Sequence, residues 1–168
     1  MEHVERAEKL LPTALDFSRP GANEAYILGL VAAHGVLSPS AASTFVHLRY
    51  GIGRYRSGEI RIGDRSYPAT EYIATIPAYI AQKLSSIVGS TRVSIQEFSP
   101  SWFRIDVDFG DVPHVFEDMA RQFAPATSYQ YFRVPPVIMD STDIGINRAF
   151  LQGFVQAHGL PTRGAATP

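Results

Sequence analysis

Tyr26–Gly35 reads YILGLVAAHG, and Phe150–Gly159 reads FLQGFVQAHG. At an offset of 124 residues five of the ten positions are identical: Gly29 with Gly153, Val31 with Val155, Ala33 with Ala157, His34 with His158 and Gly35 with Gly159. Apolar residues recur at helical spacing in both copies (Tyr26, Ile27, Leu30, Val31; Phe150, Leu151, Phe154, Val155), which predicts two short buried helices. The closing glycines predict left-handed C-caps. Gly29, Ala32 and Ala33 in one copy and Gly153 and Ala157 in the other predict helices that approach almost backbone to backbone. Gly29, Ala33, Gly153 and Ala157 are therefore the candidate helix-pairing residues, related by a pseudo-twofold axis.

The similarity extends N-terminally from the second copy. Tyr131–Gly159, YFRVPPVIMDSTDIGINRAFLQGFVQAHG, opens with an arginine–hydrophobic–proline lead-in and closes on an RAFLxGFxxAxG helix. On these residues the pair resembles the two signature helices of the LAGLIDADG homing endonucleases, including those inserted in inteins. The resemblance implies an αββαββα half-domain whose curved four-stranded antiparallel sheet forms a saddle over double-stranded DNA. It further implies a divalent metal held between the helix ends by one Asp or Glu of each motif. This chain departs from the family there, with His34 and His158 in place of the acids.

That departure has a chemical consequence. Mg²⁺ takes hard oxygen ligands, whereas imidazole suits Zn, Cu, Ni or Fe. Two-metal hydrolysis clamps both the attacking and the leaving oxygen, so losing both acids predicts loss of the reaction. No catalytic residue and no resident metal or cofactor is assigned; Mg²⁺ enters only if the chain is instead a divergent endonuclease that still cleaves. Three roles stay open for His34 and His158: packing, capping or touching DNA; ligating a transition metal as a pair; or standing beside a metal site supplied by Asp106 or Asp108. In the resembled family a second half-domain follows the second motif, so the implied protein partner is that missing half or a second copy in a homodimer.

The 168 residues are one domain's worth of chain, 45% hydrophobic and 18% charged, as in an ordinary globular protein. There is no cysteine, so disulfides and thiolate metal sites are excluded. The charged start MEHVERAEKL does not read as a secretory leader, and the longest apolar run, Ala25–Ala33, is too short to cross a bilayer; cytoplasmic is the expected location. No GxSxG elbow and no HExxH helix is present. The net charge of −1 decides nothing about nucleic acid, but arginine makes up 13 of the 15 basic residues. Seven of them lie between His47 and Arg104, where arginine suits bidentate contact with phosphate and guanine. An arginine-rich codon bias accounts for the same count.

Around the motifs, residues 2–16 predict a short amphipathic helix and Ser18–Gly21 a turn, with Asn23 or Ser18 as cap of the first motif helix. Strands are predicted at 44–50 and 59–67, joined by the glycine-rich turn Gly51–Gly58, and again at 92–98 and 102–109, turned at Ser99–Ser101. Helices are predicted at 70–88, stopping at Gly89, and at 112–123, with Ser141 or Asp143 capping the last. This gives an N-terminal helix and turn at 1–20, an α+β half-domain at 21–140, the second motif helix at 141–160 and a flexible tail at 161–168. Period-two alternation places His47, Arg49, Arg61, Arg65, Arg92, Gln96 and Arg104 on one polar sheet face, opposite Ile60, Ile62, Ile105 and Val107. Such a face is either a solvated surface or a reader of base edges in a major groove. Arg54 and Arg56 are expected on the phosphate backbone; no Gly-Lys-Ser/Thr follows their turn, so it is no P-loop.

Overall fold

The computed structural model describes residues 15–38, 40, 43–49, 59–99, 102–110, 113–123 and 134–158; of residues 44–49, 60, 62, 69–74, 99, 113 and 158 it describes the backbone alone. The helix expected over 2–16, the turn carrying Arg54 and Arg56 and the tail at 161–168 lie outside the described residues, apart from the non-helical Leu15 and Asp16. The element order is α1 (Ala22–His34), β1 (Gly35–Ser38), β2 (Ser43–Arg49), β3 (Glu59–Ile62), β4 (Arg65–Pro68), α2 (Ala69–Val88), β5 (Val93–Ser99), β6 (Trp102–Asp108), α3 (Pro113–Gln122), α4 (Pro136–Met139) and α5 (Ile144–His158). The class is α+β, as expected.

Helix α1 is the centre of the molecule. Every residue from Glu24 to Ala33 is buried, the pattern of a helix enclosed on all sides. Its start is fixed differently from expectation. Neither Asn23 nor Ser18 caps it; Gly21 is the N-cap, and the buried Glu24 carboxylate reaches back to accept from the Gly21 amide at 3.0 Å and the Asp16 amide at 3.1 Å. An acid in the first turn also complements the positive end of the helix dipole. The C-terminus is a second correction. Gly35 is not left-handed but extended, with φ −79° and ψ 153°, and the helix passes straight into β1. Glycine is needed there because a Cβ would press on the Cα, the carbonyl oxygen and the side chain of Val31.

The two motif helices pack as a pair. A Cβ at Gly29 would collide with the carbonyl of Phe150 and lie 2.9 Å from the Phe154 nitrogen; one at Gly153 would collide with the carbonyl of Tyr26 and lie 3.0 Å from the Leu30 nitrogen. Tyr26 and Phe150 are equivalent in the repeat, as are Leu30 and Phe154. The contact therefore maps onto itself, which is the pseudo-twofold relation the sequence predicts. Ala33 and Ala157 are buried as well. At the start of α5, Asp143 is the cap: its Oδ1 accepts from the Gly145 amide at 2.7 Å and its carbonyl from the Asn147 amide at 3.1 Å.

The sheet differs from expectation in its membership. Four antiparallel strands run in the order β1-β2-β6-β5, and the stretch expected as a single strand at 59–67 forms a separate hairpin, β3-β4. Gly63, at φ 60°, supplies the left-handed residue for its tight Gly63-Asp64 turn. The fourth strand of the sheet is instead β1, which follows α1 directly. On β6, Phe103, Ile105 and Val107 are buried. They meet a core that includes Ile80, Leu84, Ile87 and Val88 of α2 and Val115, Phe116 and Met119 of α3. Phe17 joins it edge-on to Phe109, ring centroids 6.4 Å apart. Burying one such side chain contributes about 1.5–3 kcal/mol. Helix α2 runs through a buried Pro77 and ends at Gly89, whose φ is 97°.

The reciprocal glycine contact yields a stability test. Gly29→Ala and Gly153→Ala each place a methyl against a backbone carbonyl that cannot rotate away, so overpacking of about 1–3 kcal/mol outweighs the gain in helix propensity. Both variants should unfold at lower urea concentration than the parent. A stabilised Gly153→Ala would refute the close approach.

Candidate functional site

The open face of the four-stranded sheet carries the candidate residues. Along β6, Trp102, Arg104 and Asp106 are half-buried and Asp108 is exposed, whereas the alternate residues are in the core. Register pairs Gln96 and Ser94 of β5, both exposed, with Arg104 and Asp106. On the other side, the backbone of β2 sets His47 opposite Arg104 and Arg49 opposite Trp102. The structure thus brings His47, Arg49, Gln96 and Arg104 into one cross-strand neighbourhood, as alternation predicts.

Other residues fall elsewhere. Arg61 and Arg65 are exposed but belong to the separate hairpin, where Arg61 pairs with Ser66 and Arg65 with Ile62. They do not share a face: the turn at Gly63 and Asp64 reverses the chain, so counting by twos through it assigns the wrong side. Arg92 is not in a strand. It ends a 3-10 turn, Ser90–Arg92, and is buried at 7% exposure, with one guanidinium nitrogen 3.4 Å from the Asp108 carbonyl. It borders an open cleft of about 360 Å³ shared with Ser43, Thr91, Ser94, Asp106 and Asp108.

The electrostatics of this face are close to balanced. Asp106 holds Arg104 in a bidentate grip, with Nε 2.9 and 3.0 Å from the two carboxylate oxygens and a terminal nitrogen 2.6 Å from one of them. Residues two apart on a strand share a face, which makes the pair local. Asp108 is occupied by the Gly110 amide at 2.7 Å. Among the described residues no three His, Asp or Glu side chains are grouped to hold a metal ion. His34 is half-buried at the end of α1; His158 ends α5, and its side chain lies outside the described residues.

Three features of the site were not anticipated. Phe98 and Trp102 stack on the open face. Leu151 and Val155 of α5 are exposed, at 57% and 49%. A polar network also ties α2 to the helix pair: the Tyr26 hydroxyl donates to Gln156 Oε1 at 2.7 Å, while Lys83 donates to Gln152 Oε1 at 3.1 Å and its ammonium lies 3.8 Å from the Tyr26 ring centroid. The i, i+4 spacing of Gln152 and Gln156 was the sequence signal for it. Burial, and secondarily Tyr79, pushes the Tyr26 phenol far above its ordinary value, and burial lowers Lys83.

Comparisons with protein-family models, with curated proteins and with solved structures found no match. No helix among the described residues is long and apolar enough to cross a membrane.

The Tyr26 shift carries an alkaline signature. Unfolded tyrosines ionise near 10, while folded Tyr26 keeps its proton; the unfolded state thus binds fewer protons above that pH, and stability must fall as pH rises through it. Lys83 acts in the opposite sense, since its lowered value makes stability rise toward 10.5. Tyr26→Phe isolates the tyrosine: above pH 10 its stability should decline less steeply than the parent's, measured by urea midpoints, and at neutral pH it should lose about 1 kcal/mol with the hydrogen bond.

Proposed function

We propose that the chain is a double-stranded DNA-binding domain of the LAGLIDADG type whose nuclease chemistry is lost, serving as a regulator or as a targeting module. The observation that carries this reading is the reciprocal packing of the two repeats through Gly29 and Gly153. It is the relation the resemblance implies for the signature helices, and two unrelated core helices have no reason to contact through equivalent atoms. An α+β core with a polar sheet face opposite the helices agrees with a DNA saddle. On this reading Gln96 and Arg104, with His47 and Arg49 beside them, meet base edges, while Arg61 and Arg65, on opposite faces of their hairpin, do not read DNA together. Arg92, being buried, positions the rim of the cleft rather than touching DNA.

The pair also supports a further covering layer. Leu151 and Val155 are 57% and 49% exposed, whereas their repeat equivalents Ile27 and Val31 are 1% and 5% exposed. The first helix has a sheet layer over its outer face; the second shows the same kind of residues uncovered. That asymmetry favours a second half-domain, or a second copy, against α5.

A gel shift with duplex DNA at low salt, with and without Mg²⁺, tests the proposal. Retardation without cleavage in either condition is expected. Mg²⁺-dependent cleavage by the unmodified chain would assign it to active endonucleases instead, and no retardation would leave the helix pair as a scaffold. Asp106→Asn is the companion experiment. It loosens the hold on Arg104 and removes a negative charge from the face, so duplex affinity should rise, most of all at low salt. Weaker binding in that variant would remove Arg104 from the interface.

A further inference from the structure

An aromatic pair stands on the sheet face that the polar residues occupy. Phe98 and Trp102 are stacked with centroids 4.6 Å apart and an interplanar angle of 29°. Phe98 is 51% exposed, so one side of the stack is open to solvent. Its position is specified by the backbone. The ladder between β5 and β6 shifts register between Glu97 and Ser99, which leaves Phe98 as the extra residue of a bulge. Phe98 lies two residues beyond Gln96 and so shares its face, and the ladder that pairs Gln96 with Arg104 and Glu97 with Phe103 leads it to Trp102; the shift at Ser99 closes the strand pair there. One step along the ladder lies the Gln96–Arg104 pair.

Large aromatic rings are normally turned to the core, and the core here has Phe103, Phe109 and Phe116. The stack on the opposite face gives that face a flat apolar surface bordered by an amide and a guanidinium. The neighbouring charges offset each other, since Asp106 neutralises Arg104. Such a surface is poorly matched to a dense run of phosphates. It matches a planar ring with hydrogen-bonding edges: the ring stacks on Phe98, and Gln96 meets the edge. An aliphatic side chain would offer no hydrogen-bonding edge to the exposed Gln96 amide.

We propose that Phe98 and Trp102 form a stacking platform for an unpaired nucleobase, a purine above all because of its larger ring. This rests on the nucleic-acid reading and refines it: the preferred ligand is a duplex with an extrahelical base, or the junction of a duplex and a single strand, rather than an uninterrupted duplex.

The test uses the full chain and three fluorescein-labelled oligonucleotide probes of equal length, followed by anisotropy. They are a perfect duplex, the same duplex with one unpaired adenine, and the single strand. The duplex with the unpaired adenine should bind about ten-fold more tightly than the perfect one, in line with the usual contribution of one stacked base. Trp102 is the only tryptophan, so its emission should be quenched on binding. Phe98→Ala should remove the preference and leave binding to the perfect duplex unchanged, while Phe98→Tyr, which keeps the ring, should retain both; circular dichroism confirms that each variant folds.

Equal affinity for both duplexes, or a preference that survives Phe98→Ala, would overturn the platform and leave the duplex reading standing. Binding of the single strand alone, lost in Phe98→Ala, would keep the platform and overturn the duplex reading. No binding of any probe would overturn both.

Discussion

A side chain larger than hydrogen at Gly29 or Gly153 would drive a carbon into the backbone of the facing helix, and much of the architecture depends on that absence. With the two helices so close, α1 has no solvent-facing side: one face meets α5, and the rest meets β1 and β2 of the sheet and the Lys83 side chain of α2. That is why its residues are apolar around the whole circumference and its buried charge, Glu24, sits at the end where backbone amides await an acceptor. Dispersion between closely packed backbones accumulates over many atom pairs, each worth only about 0.1–0.2 kcal/mol. Small residues thus do here what large ones do elsewhere in the core.

The repeat made the helix pair legible because two sequences with the same small residues at the same spacing carry their own control. The helices ending at Val88 and Gln122 and the buried face of β6 were legible from periodicity for the ordinary reason that their apolar faces meet the core. What periodicity missed was where the chain changes direction. Gly35 read as a left-handed cap but serves as a crowding relief where helix becomes strand, so β1 went unseen. The strand expected at 59–67 folds on itself at Gly63, whose left-handed φ of 60° makes a tight turn that an alternating pattern does not reveal.

Site residues split along the same line. Arg104 and Gln96 follow alternation from within a strand and face each other across the ladder. Arg65 lies beyond a turn and Arg92 in a 3-10 turn, where parity has no meaning. Phe98 is a different case: alternation from Gln96 puts it on the polar face, but its apolar ring argues for the core, and only the cross-strand register shows Trp102 there to stack on it. The arginine-rich composition said nothing of Asp106, whose grip on Arg104 decides how much positive charge that face offers.

The hydrogen bond between Tyr26 and Gln156 breaks the symmetry that the glycines establish. By the repeat, Tyr26 corresponds to Phe150 and Gln156 to Ala32, so the mirrored contact is apolar on both sides. The mixed pair has a hydroxyl facing an amide and a phenyl facing a methyl. Two copies of α1 brought together would set a buried hydroxyl against alanine, and two copies of α5 would set phenylalanine against a glutamine amide. Each mismatch leaves a polar group unsatisfied, a cost of about 1–3 kcal/mol apiece. One oxygen thereby turns a duplicated, self-complementary surface into a heterotypic one, and biases the chain toward pairing its own two halves over exchanging a helix with a neighbour.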